Sequence, residues 1–544
     1  MREIILIILS AILPGFLLIK PIKEKNIYTK KEWIREYKYE FICYFIMVIA
    51  FIVRLVGIEY LPKGLNADEA SAGYESYSIL NYGIDRNGNS FPVHLVAWGS
   101  GQNILYLYLM MPFIKIFGLN TFSVRLPMAI IGCISLVLFY ILLKKMSSKK
   151  IATIGLFFFA ICPWHIMKSR WGLESNLFPE MILMAITCLI CGLQDKRKSL
   201  FYIAFAIIGL SSYSYGTAYF FLPFFLIAIL FYLIYKKRII MREGIIAAFV
   251  SFIIAIPLIL FVIINTFNLP DIQLGIITIP RLTANRYEEI ASVFSINFFK
   301  TSLNNFWGSL KILVLQYDGL LWNAIKFFGL TYIFSLPFTI LGIIINFHRK
   351  ENNILNDIFN IWFIISIMLL FICEPNINRI NIIMIPIIFY TVLGIYEIIK
   401  NSRKALLCIV IIYTIAMIMF LLEYIKTDMS KTEVFEDGLE EVINYIEKLD
   451  VEKIYITDEI KEPYIYTLFY TQTDVNEFID SVEYATKGTN FDIVSHFGKY
   501  YFNIPEQIEE NSAYVLKKEN EKNFDKSEWE DIFINEYVII KEVN

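Results

Sequence analysis

Charge and histidine are scarce in this chain. Of its 544 residues, 57% are hydrophobic and only 18% are charged, and the formal net charge is −2. This balance gives no reason to expect a nucleic-acid partner. The four histidines (94, 165, 348 and 496) show no metal-ligand spacing. We therefore predict no metal site from sequence spacing.

Cysteine and glycine patterns exclude further classes of protein. All seven cysteines lie within or beside apolar runs, and the polar last 120 or so residues contain none. No disulfide framework is therefore implied, and Cys188-x-x-Cys191 is interpreted as a lipid-facing or packing pair. No glycine loop for binding nucleotides is present. We expect no organic cofactor, and a divalent metal stays open.

Long apolar runs are what the chain has in abundance, and they predict transmembrane helices. We expect a polytopic α-helical protein of the cell membrane with about twelve crossings. The predicted spans are 4–20, 41–59, 121–143, 151–167, 176–193, 200–214, 217–235, 245–266, 324–346, 357–373, 380–398 and 404–424.

Basic clusters set the predicted orientation, because cytoplasmic connections are enriched in Lys and Arg. The apolar segment 104–118 is short and carries Lys115. If it crossed the membrane, the cluster Lys144–Lys150 would lie outside. As a helix in the outer interface, it leaves every basic cluster inside. Segments 60–103, 168–175, 267–323, 374–379 and 425–544 then share the outer face.

This threading predicts three regions. Residues 1–40 form a retained N-terminal helix and a basic cytoplasmic connection. Residues 41–425 form a transmembrane catalytic domain, with a first outer loop at 60–103, an interfacial helix at 104–118 and a second outer loop at 267–323. Residues 426–544 are polar and mix helical with strand-like stretches, so they predict a small extracytoplasmic α/β domain.

Two acidic turns are the candidate catalytic groups. Asp68 and Glu69 follow the first well-flanked apolar span, and Glu174 lies in the later turn Ser169–Asn176. A partly desolvated carboxylate at the membrane boundary has a raised pKa and is a better general base. The alternative for each is an ordinary interface residue whose charged end reaches water.

Outer-face cations are the candidates for binding a donor phosphate: Lys168, Arg170, Arg281, Arg286 and Arg379. Basic and aromatic residues in the 267–323 segment suit a polyprenyl-phosphate headgroup, although anchoring to membrane lipids is the alternative. No Asp-rich metal cluster accompanies them, which favours a monophosphate over a diphosphate donor.

The order of four features resembles the GT-C superfamily of integral-membrane glycosyltransferases. The acidic pair Asp68-Glu69 comes first, and an interfacial segment then ends in Phe117-Gly118 before Phe122-x-x-Arg125-Leu126-Pro127. Pro163-x-His165 leads to Ser169-Arg170-x-x-x-Glu174, and a polar domain follows the last span. More narrowly, the pattern is similar to the family of protein O-mannosyltransferases and lipid A aminoarabinose transferases.

The resemblance implies a reaction on the outer face. Asp68 would act as general base on an acceptor hydroxyl, and a sugar would leave polyprenyl phosphate with inversion. Glu69 and Glu174 would orient the acceptor or the base. The family commonly has His-Pro-Pro before the interfacial helix, where this chain has Gly101-Gln102-Asn103, and its second acidic residue is often Asp.

Two other classes remain open from the sequence. A lipid or polysaccharide transporter would be expected to show repeated halves and charges near the membrane midplane. A non-catalytic membrane scaffold would not explain acidic residues in both outer turns. The sugar is unspecified, and a protein, a lipid or a cell-wall glycan could be the acceptor.

Overall fold

The fold is dominated by apolar helices and ends in a β-sheet. The computed structural model describes residues 2–284, 291–349, 353–429, 432, 434–505, 507–519 and 529–542. The chain divides into a unit of Met1–Ile58, Met128–Ile256 and Tyr287–Thr427, and a second of Glu59–Pro127, Pro257–Arg286 and Asp428–Asn544. We call them the helical unit and the mixed unit.

Helices make up most of the part of the chain that the structure describes. Up to residue 266 they are α1 (Arg2–Ile12), α2 (Ile19–Lys23), α3 (Lys30–Leu55), α4 (Ala67–Tyr82), α5 (Leu105–Phe117), α6 (Thr121–Met146), α7 (Lys149–Ala160), α8 (Pro163–Lys168), α9 (Glu174–Gln194), α10 (Lys198–Ser211), α11 (Ala218–Tyr235) and α12 (Met241–Thr266). Beyond it they are α13 (Phe298–Leu315), α14 (Leu336–His348), α15 (Ile354–Ile372), α16 (Ile377–Ile380), α17 (Met384–Ile399), α18 (Arg403–Lys426), α19 (Leu439–Ile446), α20 (Pro463–Thr471) and α21 (Val475–Ser481).

Eight helical segments of the described chain are long and apolar enough to cross a membrane: Arg2–Lys23, Thr121–Lys145, Glu174–Gln194, Ala218–Tyr235, Met241–Thr266, Ile354–Ile372, Ile377–Ile399 and Arg403–Lys426. The remaining predicted spans fall on α3, α7 with α8, α10 and the apolar helical segment Ile333–His348. The chain is a multi-pass membrane protein, as predicted. The predicted interfacial segment 104–118 is the separate helix α5.

The strands that the structure describes all belong to the mixed unit: β1 (Leu65–Asn66), β2 (Ile272–Leu274), β3 (Ile277–Ile279), β4 (Phe435–Glu436), β5 (Lys453–Ile456), β6 (Glu483–Thr486), β7 (Ile493–Phe497), β8 (Tyr500–Tyr501), β9 (Ser512–Lys517), β10 (Trp529–Ile534) and β11 (Tyr537–Glu542). Strand β1 pairs with β4 and β2 with β3, and the other seven form one sheet in the order β10-β11-β9-β5-β8-β7-β6. Strand β5 pairs in parallel with β9 and β8, and the other pairs are antiparallel. Tyr455, Tyr514 and Val538 belong to its buried core. The predicted C-terminal α/β domain is confirmed.

Two segments predicted as outer loops contain regular structure. Within 60–103 lies α4, which begins where Asn66 and Glu69 form a capping box. Within 267–323 lie a hairpin of β2 (Ile272–Leu274) and β3 (Ile277–Ile279) and the helix α13. The hairpin turns at Gly275, whose φ is +63°.

Candidate active site

Asp68 occupies the second position of α4. The Asn66 side chain accepts a hydrogen bond from the Asp68 backbone N–H at 2.8 Å, and Glu69 Oε2 accepts from the Asn66 N–H at 3.2 Å. The Asp68 side chain is half-buried. The positive end of the helix dipole favours a negative charge there. This local structure places a carboxylate, held by a fixed backbone, at the surface of the mixed unit.

Glu69 points into the interior and binds Arg125. Arg125 donates from Nε to Glu69 Oε1 and from Nη2 to Oε2, both at 2.8 Å, and both side chains are fully buried. Its Nη1 also donates to Pro62 O at 2.8 Å, and Nη2 to Gly64 O at 2.6 Å. The paired, two-point contact therefore ties the start of α4 to the preceding turn. A role for Glu69 in orienting Asp68 stays a prediction.

A second buried ion pair supports the same helix. Arg86 Nε lies 3.3 Å from Glu75 Oε1, and the Arg86 backbone N–H donates to Glu75 Oε2 at 2.9 Å. Arg86 Nη1 donates to Ser71 Oγ at 3.0 Å. The guanidinium lies 5.0 Å from the ring centre of Trp98 and 5.7 Å from that of Tyr464. Sequence reasoning missed this cluster, because no short motif joins Ser71, Glu75, Arg86 and Trp98 and because Tyr464 comes from a distant segment.

Helix α20 of the C-terminal domain packs along α4. The Tyr466 hydroxyl donates to Leu65 O at 3.1 Å, and the Tyr74 hydroxyl donates to Thr473 O at 2.9 Å. Near the middle of α4, a Cβ on Gly73 would lie 2.6 Å from the Phe469 ring. The polar C-terminal domain is therefore packed directly on the helix that carries Asp68.

The structure describes one of the two candidate cations in the 267–323 segment. Arg281 is exposed, and its Nη2 donates to Asn268 Oδ1 at 3.5 Å. Arg286 lies outside the described residues. The binding of a donor phosphate by either arginine stays a prediction.

In the helical unit, the turn before α9 carries Arg170 and Glu174. Glu174 is the first residue of α9 and is half-buried. Arg170 is 3% exposed, and its Nη1 donates to Val53 O at 2.5 Å and to Val56 O at 2.9 Å. Arg170 therefore caps the carboxyl end of α3, where a cation is favoured.

Lys168 is buried among amides. Its Nζ donates to Asn323 Oδ1 at 3.0 Å and to Asn378 Oδ1, and it lies 5.4 Å from the Trp171 ring centre. Burial lowers the pKa of Lys168 to about 7, although the negative charge of Asp318 acts in the opposite direction and raises it. A lysine of this kind changes its charge near neutral pH.

Three charged or polar residues of apolar helical segments meet in the helical unit. Arg54 Nη2 lies 2.7 Å from His165 Nδ1, and His165 Nε2 lies 3.4 Å from Glu180 Oε1. All three are buried. The cluster joins α3, α8 and α9, so it supports the turn that carries Arg170 and Glu174.

Arg379 is paired locally. Its Nη1 lies 2.5 Å from Glu374 Oε2, and 16% of the arginine side chain is exposed. Within the described helical unit, Lys168, Arg170 and Glu174 thus share one connection, and Asp68 and Glu69 share the start of α4 in the mixed unit. The expectation that Asp68 and Glu174 meet on one membrane face stays a prediction.

Comparison with known proteins gives two kinds of match. The family model described as "Dolichyl-phosphate-mannose-protein mannosyltransferase" matches residues 102–263. The Bacillus subtilis (strain 168) protein named "Putative mannosyltransferase YycA" is 30% identical over 132 residues, which are 24% of this chain and 19% of that protein. The matched residues include the 163–174 motif. They begin after Asp68, so Asp68 lies outside the family match.

Solved structures extend the likeness to most of the chain. ArnT from Cupriavidus metallidurans, bound to undecaprenyl phosphate, superposes with a TM-score of 0.56 at 9% identity, covering 91% of this chain and 97% of that one. The chain has the GT-C fold. The Archaeoglobus fulgidus oligosaccharyltransferase, solved with Zn and sulfate, gives a TM-score of 0.50 at 14% identity, over 78% of this chain and 61% of that one.

The GT-C fold confirms the resemblance drawn from the sequence. The structural match covers almost all of both ArnT and this chain, so it includes the C-terminal domain as well as the apolar helices. At such low identity, the match establishes architecture, and the functional assignment depends on the residues at the site.

Proposed function

We propose that this protein is a GT-C membrane glycosyltransferase that moves a sugar from a polyprenyl-phosphate donor to an acceptor hydroxyl on the outer face. The observation that carries the proposal is Asp68, which is half-buried at the amino end of α4. Two buried ion pairs and the packing of α20 hold that helix. A base held in this way needs little reorganisation when it takes a proton.

The proposed step is an inverting displacement. Asp68 accepts the proton of the acceptor hydroxyl as that oxygen bonds to the anomeric carbon of the sugar. The bond from this carbon to the phosphate oxygen breaks, and polyprenyl phosphate leaves with the electron pair. Cationic side chains stabilise the departing phosphate, and Lys168, Arg170, Arg281, Arg286 and Arg379 are the candidates. Glu174 is proposed to orient the acceptor.

Mannose is the first sugar to test. The matching family model and the Bacillus relative are both described as mannosyltransferases. The acceptor class stays open among proteins, lipids and cell-wall glycans. In cells, removal of the protein should make one polyprenyl-phosphate sugar accumulate, and lipid extraction with mass spectrometry would identify it.

Purified protein in liposomes tests the donor class. We expect transfer from a polyprenyl-monophosphate sugar, no transfer from the matching nucleotide sugar, and activity that survives EDTA. Loss of transfer in EDTA with recovery on adding a divalent cation would instead make the acidic residues metal ligands. Transfer from the nucleotide sugar alone would contradict the proposed donor.

A further inference from the structure

Glu462 is an acidic residue of the C-terminal domain with an unusual backbone. It precedes α20 and has φ +55° and ψ +54°, the left-handed region, which glycine adopts more easily. Its side chain is half-buried.

The packing of α20 brings Glu462 to the end of α4 that carries Asp68. Successive residues of α20 and its following turn contact successive parts of α4 in the same direction. The Tyr466 hydroxyl donates a hydrogen bond to Leu65 O, which directly precedes α4. The Phe469 ring lies against Gly73. Thr473 O accepts a hydrogen bond from the Tyr74 hydroxyl. The amino ends of both helices therefore adjoin.

Four charged groups of the mixed unit act on Glu462: Arg86 from the turn after α4, Lys461 from its own segment, Asp492 from the loop before β7, and Asp68 from α4. Arg86 is engaged by Glu75 and Ser71, and Asp492 Oδ1 accepts from the backbone N–H groups of Gly488 and Thr489 at 2.7 and 3.1 Å.

The net effect of these surroundings is to disfavour the ionised form of Glu462. Burial raises its pKa to about 7, Arg86 and Lys461 oppose the rise, and Asp492 and Asp68 add to it. The charge of Glu462 therefore changes close to neutral pH.

We propose that Glu462 is a positioning residue of the C-terminal domain that sets the proton affinity of Asp68. When Glu462 is ionised, the repulsion between the two carboxylates strengthens Asp68 as a base. Glu462 need not touch the acceptor or the donor. The proposal deepens the proposed function and rests on it for its catalytic consequence, whereas the coupling between the two carboxylates is measurable without activity.

A double-mutant cycle tests the coupling directly. The raised pKa means that the folded protein loses stability as pH rises from about 4.5, the ordinary value, through about 7. At pH 8, Glu462→Gln should therefore raise the midpoint of thermal unfolding in detergent. The rise in midpoint caused by Glu462→Gln should be smaller in the Asp68→Asn background. In the wild-type background, this rise should be smaller at pH 5 than at pH 8. Equal rises in both backgrounds at pH 8 would overturn the proposal, whatever the protein's activity.

The pH profile tests the catalytic consequence. In the wild type, kcat/KM should rise through pH 7 as Glu462 ionises. In Glu462→Gln this rise should be absent, and the rate above pH 7 should fall roughly three- to tenfold. Glu462→Asp keeps the charge and should restore the rise. Glu459→Gln, an exposed change in the same segment, is the control and should leave the profile unchanged.

The outcomes separate the two hypotheses. Thermal coupling at pH 8 with no transfer by the wild type would support the paired carboxylates and reject the proposed function. Wild-type transfer with an unshifted Glu462→Gln profile would reject the inference and leave the proposed function standing.

Discussion

Asp68 and Glu69 are neighbours in the chain, yet they lie in different environments. Successive helical residues point about 100° apart, so the start of α4 leaves Asp68 half-buried and directs Glu69 fully inward onto Arg125. The two carboxylates therefore differ in what they can contact. Glu69 holds the start of the helix through Arg125, and Asp68 is the carboxylate that we propose for proton transfer.

The first prediction concerns this buried pair. Glu69→Gln leaves Arg125 buried without its counter-charge, and breaking a buried pair typically costs about 3–5 kcal/mol. We expect a clear fall in the thermal unfolding midpoint and a smaller loss of transfer per folded molecule than in Asp68→Asn. Glu374→Gln is the matched control, because Glu374 also pairs with an arginine but is 61% exposed. Equal midpoints for both variants would contradict the structural role.

The second prediction concerns Lys168. Its pKa is lowered to about 7, so its protonated fraction falls as pH rises through neutrality. If Lys168 binds the donor phosphate, the KM for the donor should rise above pH 7 in the wild type. In Lys168→Gln, the KM for the donor should be higher than the wild-type value at pH 6 and should change little with pH. Lys326→Gln, an exposed change in a nearby turn, is the control. A wild-type KM that stays flat from pH 6 to pH 8 would remove Lys168 from the donor site.

At the scale of elements, α14 and α17 cross at two glycines. A Cβ on Gly342 would lie 1.8 Å from Tyr390 O, and one on Gly394 would lie 1.9 Å from Phe338 O. The hydroxyls of Thr339 and Thr391 are 2.7 Å apart. Small residues allow this close approach between apolar helices.

The third prediction follows from that crossing. Gly394→Ala places a methyl group against backbone that cannot move aside as a side chain would, so the two helices must separate. We expect little monodisperse protein in size-exclusion chromatography. Gly15→Ala is the control, because a Cβ there meets nothing within 4 Å. Normal yield and elution of Gly394→Ala would show that the helices do not pack as described.

The elements differ in how far the sequence could predict them. Apolar runs predicted the membrane helices well, since a lipid environment permits few structures other than a helix. Helix α4 lies in a segment predicted as an outer loop from the positions of the apolar spans, although the Asn66-x-x-Glu69 spacing is a helix-capping signal. The hairpin at Ile272–Ile279 and helix α13 lie in a segment whose periodicity was not distinctive.

The site was predictable only in part, for a physical reason. Asp68 stood out as a charge beside an apolar span. Arg86, Glu75 and Glu462 become meaningful only through tertiary packing, which brings the turn after α4 and the C-terminal domain to the same helix. No local pattern in a single sequence encodes that contact.

At the scale of the whole molecule, orientation still rests on the alternation of basic clusters. In a background without its natural cysteines, a cysteine at Ser147 should be shielded from a membrane-impermeant reagent in intact cells, and one at Lys518 should be labelled. Permeabilised cells provide the control, since both positions should then react. Labelling of Ser147 in intact cells would place the Lys144–Lys150 cluster outside and reject the predicted threading.

The central claim is that Asp68 is the general base of a lipid-linked sugar transfer. The most direct measurement is single-turnover transfer from a polyprenyl-monophosphate sugar by purified wild type and Asp68→Asn protein in liposomes, normalised to folded protein. We expect a fall of about 10²–10⁴-fold in the variant, with an unchanged unfolding transition at acidic pH, where repulsion from Glu462 is absent. Equal transfer rates for the two proteins would contradict it.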